Sequence, residues 1–149
     1  MSIHKSYAVF GLGRYGFSVA KQLVQSGADV LAVDCNQSIV NSAIGEIPIC
    51  KCADVTDMEV LKQLGVAEID VVIIALAKNL EASVMAVMLC KELKVGTVIV
   101  KCANEMHKKI LEKVSASFML TEQEAMEIIQ SESQVEYSTK VYDAIENLE

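Results

Sequence analysis

The sequence predicts a doubly wound α/β fold built on a parallel sheet, and three observations carry that expectation. Short β-branched runs alternate with longer helical stretches, joined by connections of a few residues, the rhythm of successive βα units. A glycine cluster follows the first apolar run directly and opens a helical stretch. The second apolar run closes on an acid, Asp34.

Taken in order, Tyr7-Ala8-Val9-Phe10 is the first strand. Residues 14–26 form a helix that Gly27 stops as a left-handed C′ residue. Residues 29–33 are the second strand, and 37–43 a short helix with Asn36 as N-cap. Residues 48–53 hold the third strand. Thr56-Asp57-Met58-Glu59 is a capping box that opens a helix ending near Gly65. Residues 70–76 are apolar almost throughout, which fits a strand covered on both faces. A helix over 79–93, a strand over 97–100, a helix over 104–114 and a strand over 117–120 follow, and 122–131 begins a last helix. The simplest ordering of six such units is 3-2-1-4-5-6.

Composition narrows the function. With 149 residues, 52% apolar and 22% charged, the chain suits one globular domain. Its longest apolar run, 71–77, is far short of the roughly 20 residues that span a bilayer. The first six residues lead straight into a strand with no apolar signal segment, which implies a cytoplasmic location. A net charge of −7, no cluster of lysine or arginine, and 5% aromatics exclude a nucleic-acid footprint. The five cysteines (35, 50, 52, 90 and 102) show no C-x-x-C spacing and read as small core residues, Cys50 and Cys52 alternating on one side of a strand. Met85, Met88 and Met106 read as core filler.

The glycine cluster, Gly11-Leu12-Gly13-Arg14-Tyr15-Gly16, fits G-x-G-x-x-G in the strand–turn–helix context that the Rossmann dinucleotide motif requires. Gly11 makes the tight turn, Gly13 lets a pyrophosphate approach the backbone, and Gly16 lets the helix pack close to the sheet. Amides at the helix start then face the phosphates, and the helix dipole favours negative charge there. Asp34 lies 18 residues past Gly16, where an acid binds the ribose hydroxyls of adenosine. Its carboxylate repels a 2′-phosphate, which disfavours NADP. Asp54 ends the third strand with Val55 beside it, placed either to reach the adenine edge or simply to precede the next helix. Lys101 ends the fifth strand at the same sheet edge and could pair with a phosphate. Arg14 could clamp a phosphate in its own site or reach a neighbouring subunit.

Catalytic machinery is hard to find. His4 precedes the first strand, and His107 falls in the first turn of a helix, where a solvated ring is expected. Tyr137 and Lys140 are separated by three residues rather than four. No P-loop, G-x-S-x-G or HExxH is present, and no metal-ligand set emerges.

Four segments together, Gly11 to Gly16, Leu31-Ala32-Val33-Asp34, Ala53-Asp54-Val55-Thr56 and Val100-Lys101-Cys102-Ala103-Asn104, resemble the RCK N-terminal domain, also called TrkA-N or KTN, from about residue 7 to 131. The arginine in Gly-Leu-Gly-Arg-aromatic-Gly is the most specific element. The resemblance implies a sensor of NAD(H) or ATP/ADP that regulates potassium channels and transporters of the Ktr and Trk kind. It implies homodimers assembling into octameric rings on the cytosolic face of a membrane-embedded channel partner. It places Arg14 at a terminal phosphate, Asp34, Cys35 and Asn36 along the ribose, and Asp54 and Val55 beside adenine. Leu76, Ala77 and Lys78 would edge the cleft, with Lys101 and His107 near the phosphates and the last helix crossing to a partner subunit. The chain departs from the family before and after the sixth strand, where it reads Ser115-Ala116-Ser117 and Glu122-Gln123. An ungapped match puts Gln123 at the family's acidic position.

The expectation is therefore a Rossmann nucleotide-binding domain over residues 1–134, with 135–149 a linker or the start of a missing C-terminal module. It would regulate potassium uptake without being an enzyme and would sit at the inner face of the membrane through its partner. A small NAD-dependent oxidoreductase and a nucleotide-free oligomerisation scaffold are the competing expectations.

Overall fold

Residues 5–76, 78–113 and 118–120 are described by a computed structural model. The strands are β1 (Ser6–Phe10), β2 (Asp29–Asp34), β3 (Cys50–Cys52), β4 (Val71–Ile74), β5 (Thr97–Lys101) and β6 (Phe118–Leu120). The helices are α1 (Arg14–Gln25), α2 (Gln37–Ala43), α3 (Met58–Gln63), α4 (Leu80–Glu92) and α5 (Glu105–Lys113), with a short 3-10 turn at Val66–Glu68.

The parallel order β3-β2-β1-β4-β5 is the predicted one. At its far edge β6 pairs in parallel with β5, Val100 opposite Met119. The expected final helix and the segment 135–149 lie outside the described residues. β1 sits between β2 and β4, with Ala8 opposite Leu31 on one side and Val72 on the other. The chain thus winds one way from β1 and returns to wind the other way from β4. The two directions part at the carboxyl ends of β1 and β4, the crevice where doubly wound sheets bind ligands.

Period-two alternation divides the core into two layers. Tyr7, Val9, Ala32, Val71 and Ile73 pack with Val19, Ala20 and Leu23 of α1 and with Val40 and Ala43 of α2. Ala8, Phe10, Val72, Ile74 and Val100 pack with Leu61 of α3, Ala86, Val87 and Cys90 of α4, and Leu111 of α5. Because both faces are covered, β4 is buried from Val71 to Ile74, as its unbroken apolar run requires.

The helix ends follow local chemistry. Gly27, at φ +85°, closes α1 with Gly27 N–H donating to the Val24 carbonyl and Ala28 N–H to that of Leu23, the paired bonds of a Schellman motif. Asn36 caps α2, its side chain accepting from the Ser38 and Ile39 amides. The capping box expected at Thr56 does not form, and α3 is capped one residue later. Asp57 caps α3 through the Glu59 amide, because Asp54 already takes both the Thr56 amide and hydroxyl.

Two core assignments are corrected. Cys50 and Cys90 are buried, but Cys35 and Cys52 are exposed and Cys102 is half-buried. Cys52 shares a face with Cys50, yet it closes a three-residue strand at the edge of the sheet whose last two residues are exposed. Met85, Met88 and Met106 are 40%, 42% and 65% exposed, so they are not core filler. In α4 the buried stripe is Ser83, Ala86, Val87 and Cys90, which leaves Met85 and Met88 on the opposite side.

Candidate functional site

The site begins where β1 runs out. Gly11 turns the chain at φ +95°, its N–H donating to the Val33 carbonyl at 2.8 Å. A Cβ there would lie 2.5 Å from the Ala75 carbonyl oxygen, and one at Gly16 would collide with the Gly11 carbonyl oxygen. Gly11 and Gly16 are thus required by packing. At Gly13 a Cβ would meet nothing within 4 Å, so the fold itself leaves room above that residue.

Gly13 is also the N-cap of α1 and brings no side chain to the leading amides. The other described helices differ. Asn36, Asp57 and Asn79 cap α2, α3 and α4 through side-chain oxygens, and Asn104 Oδ1 accepts from the His107 amide at the start of α5. The first turn of α1 holds no acid and carries Arg14, which is exposed. Amides without a side-chain cap, the positive end of a helix dipole and an exposed arginine therefore share one helix end, which suits an anion.

Asp34 ends β2 as expected, and it has a task the sequence did not reveal. Its Oδ2 accepts from the Leu12 amide at 2.8 Å and its Oδ1 from the Asn36 amide at 2.8 Å. One carboxylate thereby clasps the glycine loop to the turn that opens α2. Each oxygen keeps a further lone pair, so the half-buried group can still accept from ribose hydroxyls.

Around this clasp the predicted residues gather unevenly. Cys35 and Asn36 are exposed beside it. Asp54 is exposed at the end of β3, and the two hydrogen bonds from Thr56 hold its carboxyl below the ordinary range. Val55 is buried in the α3–α5 layer. Leu76 is half-buried beside Gly11, with its Cδ2 within 2.9 Å of where a Gly11 Cβ would stand. Lys78 is exposed, and Ala77 lies outside the described residues. Lys101 reaches back from β5 so that its Nζ stands 5.0 Å from the centre of the Tyr15 ring. That cation–π contact ties the fifth strand to the glycine loop.

His107 corrects the expectation of a solvated ring. It is 2% exposed. Nδ1 accepts from the Ala103 amide at 2.9 Å, which leaves the proton on Nε2, 3.1 Å from Ser83 Oγ. Burial lowers its pKa. Both nitrogens are committed to protein groups, so the ring has no free donor for a phosphate and serves instead to join α4 and α5.

A groove of about 440 Å³ beside the loop was not foreseen. Leu12, Gly13, Arg14 and Phe17 form one wall, and Ser38, Ile39, Ser42 and Ala43 of α2 the other. The spacing of Phe17 from Arg14, and of Ser42 from Ser38, was the available signal: each pair shares a helix face. Among the described residues no three of His, Cys, Asp and Glu come together to hold a metal, and no helix is long and apolar enough to cross a membrane.

Comparison with known proteins sets this geometry in context. A family model described as the TrkA-N domain matches residues 7–122. Ktr system potassium uptake protein C of Bacillus subtilis (strain 168) is 39% identical over 116 residues, covering 78% of this chain and 52% of that protein. Ktr system potassium uptake protein A of Vibrio alginolyticus is 36% identical over 124 residues, covering 83% and 56%. The chain thus spans about half the length of the curated relatives it matches. Among solved structures, the GsuK channel bound to NAD superposes with a TM-score of 0.70 at 16% identity, covering 79% of this chain and 21% of that one. The Kef C-terminal domain of Shewanella denitrificans, in its AMP-bound form, gives 0.67 at 14%, covering 96% and 97%. At such identities the structural likeness is one of fold.

Proposed function

The chain belongs to the TrkA-N domain family, and from that premise we propose that it is a regulatory domain that binds an adenine nucleotide, NAD(H) or ATP/ADP, and controls potassium uptake through a membrane-embedded channel or transporter. One observation carries the nucleotide reading above the others. The leading amides of α1 have no side-chain cap, while α2, α3 and α4 each have one. Open space above Gly13 and the Asp34 carboxylate beside Leu12 fit the phosphate and ribose of one ligand. The same carboxylate repels a 2′-phosphate, which favours NAD(H) or ATP/ADP over NADP.

Relatives named as Ktr potassium uptake proteins support the transport role. A regulator rather than an enzyme is supported by His107, whose buried ring is fully occupied by Ala103 and Ser83 and can pass no proton to a substrate. In this reading the domain lies on the cytoplasmic face of the membrane, held there by its partner, and works as a homodimer within an octameric ring. A nucleotide with higher affinity for one ring geometry shifts the population toward it, and the attached channel responds. In this proposal residues 1–134 are the nucleotide-binding unit, and 135–149 are a linker or the start of a C-terminal module.

Mass spectrometry of copurifying nucleotide, followed by calorimetric titration with ATP, ADP, NAD and NADH, tests the binding. Small-angle scattering with each ligand tests the regulation. Binding by at least one nucleotide and a different particle shape with different nucleotides are expected. Equal affinity and one shape for all four would refute the sensor. Arg14→Ala is expected to weaken ATP more than NAD, because it removes a terminal-phosphate contact; equal losses would place Arg14 elsewhere.

A further inference from the structure

Two thiols take no part in the fold's core. Cys35 and Cys52 are exposed, unlike Cys50 and Cys90, whose thiols burial pushes upward, Cys90 to about 12. The sheet register sets the exposed pair side by side. Asp34 is the partner of Cys52, so Cys35 stands one residue beyond that partner. At strand spacings of about 4.8 Å between chains and about 3.3 Å per residue, positions one step off register lie about 6 Å apart at their α-carbons. Because β2 has ended and the chain bends at Cys35, its side chain is not bound to the strand's alternation of faces. Disulfides span about 4.4–6.8 Å between α-carbons. The Cys52 sulfur is already turned to this side, donating to the Cys35 carbonyl oxygen at 3.5 Å. Just beyond, the Ala53 amide donates to the Asp34 carbonyl at 3.1 Å, which fixes the two strand ends against each other.

We propose that Cys35 and Cys52 are a modification site, a dithiol that a hydroperoxide converts to a reversible disulfide. One thiolate attacks the peroxide oxygen, the O–O bond breaks, and a sulfenic acid forms with release of water or alcohol. The second thiol then attacks the sulfenic sulfur, the S–S bond forms, and the hydroxyl leaves as water. Two thiols lose two electrons and two protons, and the peroxide is reduced by the same two electrons. A dithiol reductant reverses the bond by exchange. The control this gives rests on the nucleotide reading. The bridge ties the β2–α2 turn to the end of β3, next to Asp34 and two residues from Asp54, and so narrows the adenosine end of the cleft.

The test uses the full chain, oxidised with hydrogen peroxide, alkylated, and digested without reductant. A peptide joining Cys35 to Cys52, two hydrogens lighter than its parts and lost with dithiothreitol, is expected. Calorimetric affinity for ATP, ADP, NAD or NADH should fall at least about tenfold on oxidation and recover on reduction. In Cys52→Ser the affinity should no longer respond to peroxide. Separate alkylation of both cysteines, or linkage of either to another cysteine, overturns the proposal. A joined peptide with unchanged affinity overturns the control over binding. A reduced protein that binds none of the four nucleotides refutes the nucleotide reading, and the peptide map alone then decides the thiol pair.

Discussion

Three glycines of one motif separate cleanly by what surrounds them. Gly16→Ala drives a methyl group into the Gly11 carbonyl, and the expected cost is about 3 kcal/mol or more, read by urea unfolding. Gly13→Ala meets open space at an ordinary φ of −68°. Its stability should stay within about 0.5 kcal/mol of the parent, while calorimetry shows nucleotide affinity reduced by about tenfold or more, since the methyl group occupies the phosphate approach. A destabilised Gly13→Ala, or one that binds normally, would contradict the division. Asp34→Ala separates two roles of one side chain. Losing the clasp on Leu12 and Asn36 should cost about 2 kcal/mol in the absence of any nucleotide, and binding of every adenosine ligand should weaken besides. If the unfolding midpoint without ligand does not move, Asp34 serves the ribose alone. The sequence showed Asp34 as an acid at the right distance from Gly16. It could not show the clasp, because the acceptor's partners, the Leu12 and Asn36 amides, meet only once β1 and β2 lie side by side.

Between helices, His107 joins α4 to α5 through Ser83 and is held neutral by burial. Its folded pKa lies below the unfolded value of about 6.5, so the unfolded chain takes up the proton first. Stability from this residue is complete above about pH 6.5 and is lost as pH falls from there through the folded value. Thermal melts from pH 7.5 to 5 should show this decline, and His107→Gln should flatten it; a parallel decline in both proteins would assign it to other groups. Helix and strand centres were legible because their apolar runs leave one period to choose. The boundaries were not: whether Thr56 or Asp57 caps α3 is settled by Asp54, which captures Thr56 after the chain has turned. The methionines of α4 misled for a related reason. A helix apolar on nearly every side offers no stripe to mark its inner face, so Met85 and Met88 could be assigned outward only by seeing Ala86, Val87 and Cys90 meet the sheet.

Across the described residues, two apolar layers grip a sheet whose winding reverses beside β1, and the proposed ligand cleft lies at that reversal. On the proposed reading a nucleotide would touch the glycine loop and the β2 end, and the Lys101–Tyr15 contact would join that loop to the far half of the sheet. It should therefore stabilise the domain as one unit. At one hundred times its dissociation constant the gain is about 2.7 kcal/mol, visible as a single upward shift in melting temperature. Failure of a millimolar panel of ATP, ADP, NAD and NADH to move the midpoint would favour a scaffold without ligand.

The clasp between Asp34, Leu12 and Asn36 also bears on speed. A ligand meets a mould cast when the chain folded, with its loop fixed in place beforehand. Little rearrangement is left for the encounter, so capture should be governed by collision and orientation, and ligands of different affinity should differ chiefly in how long they stay.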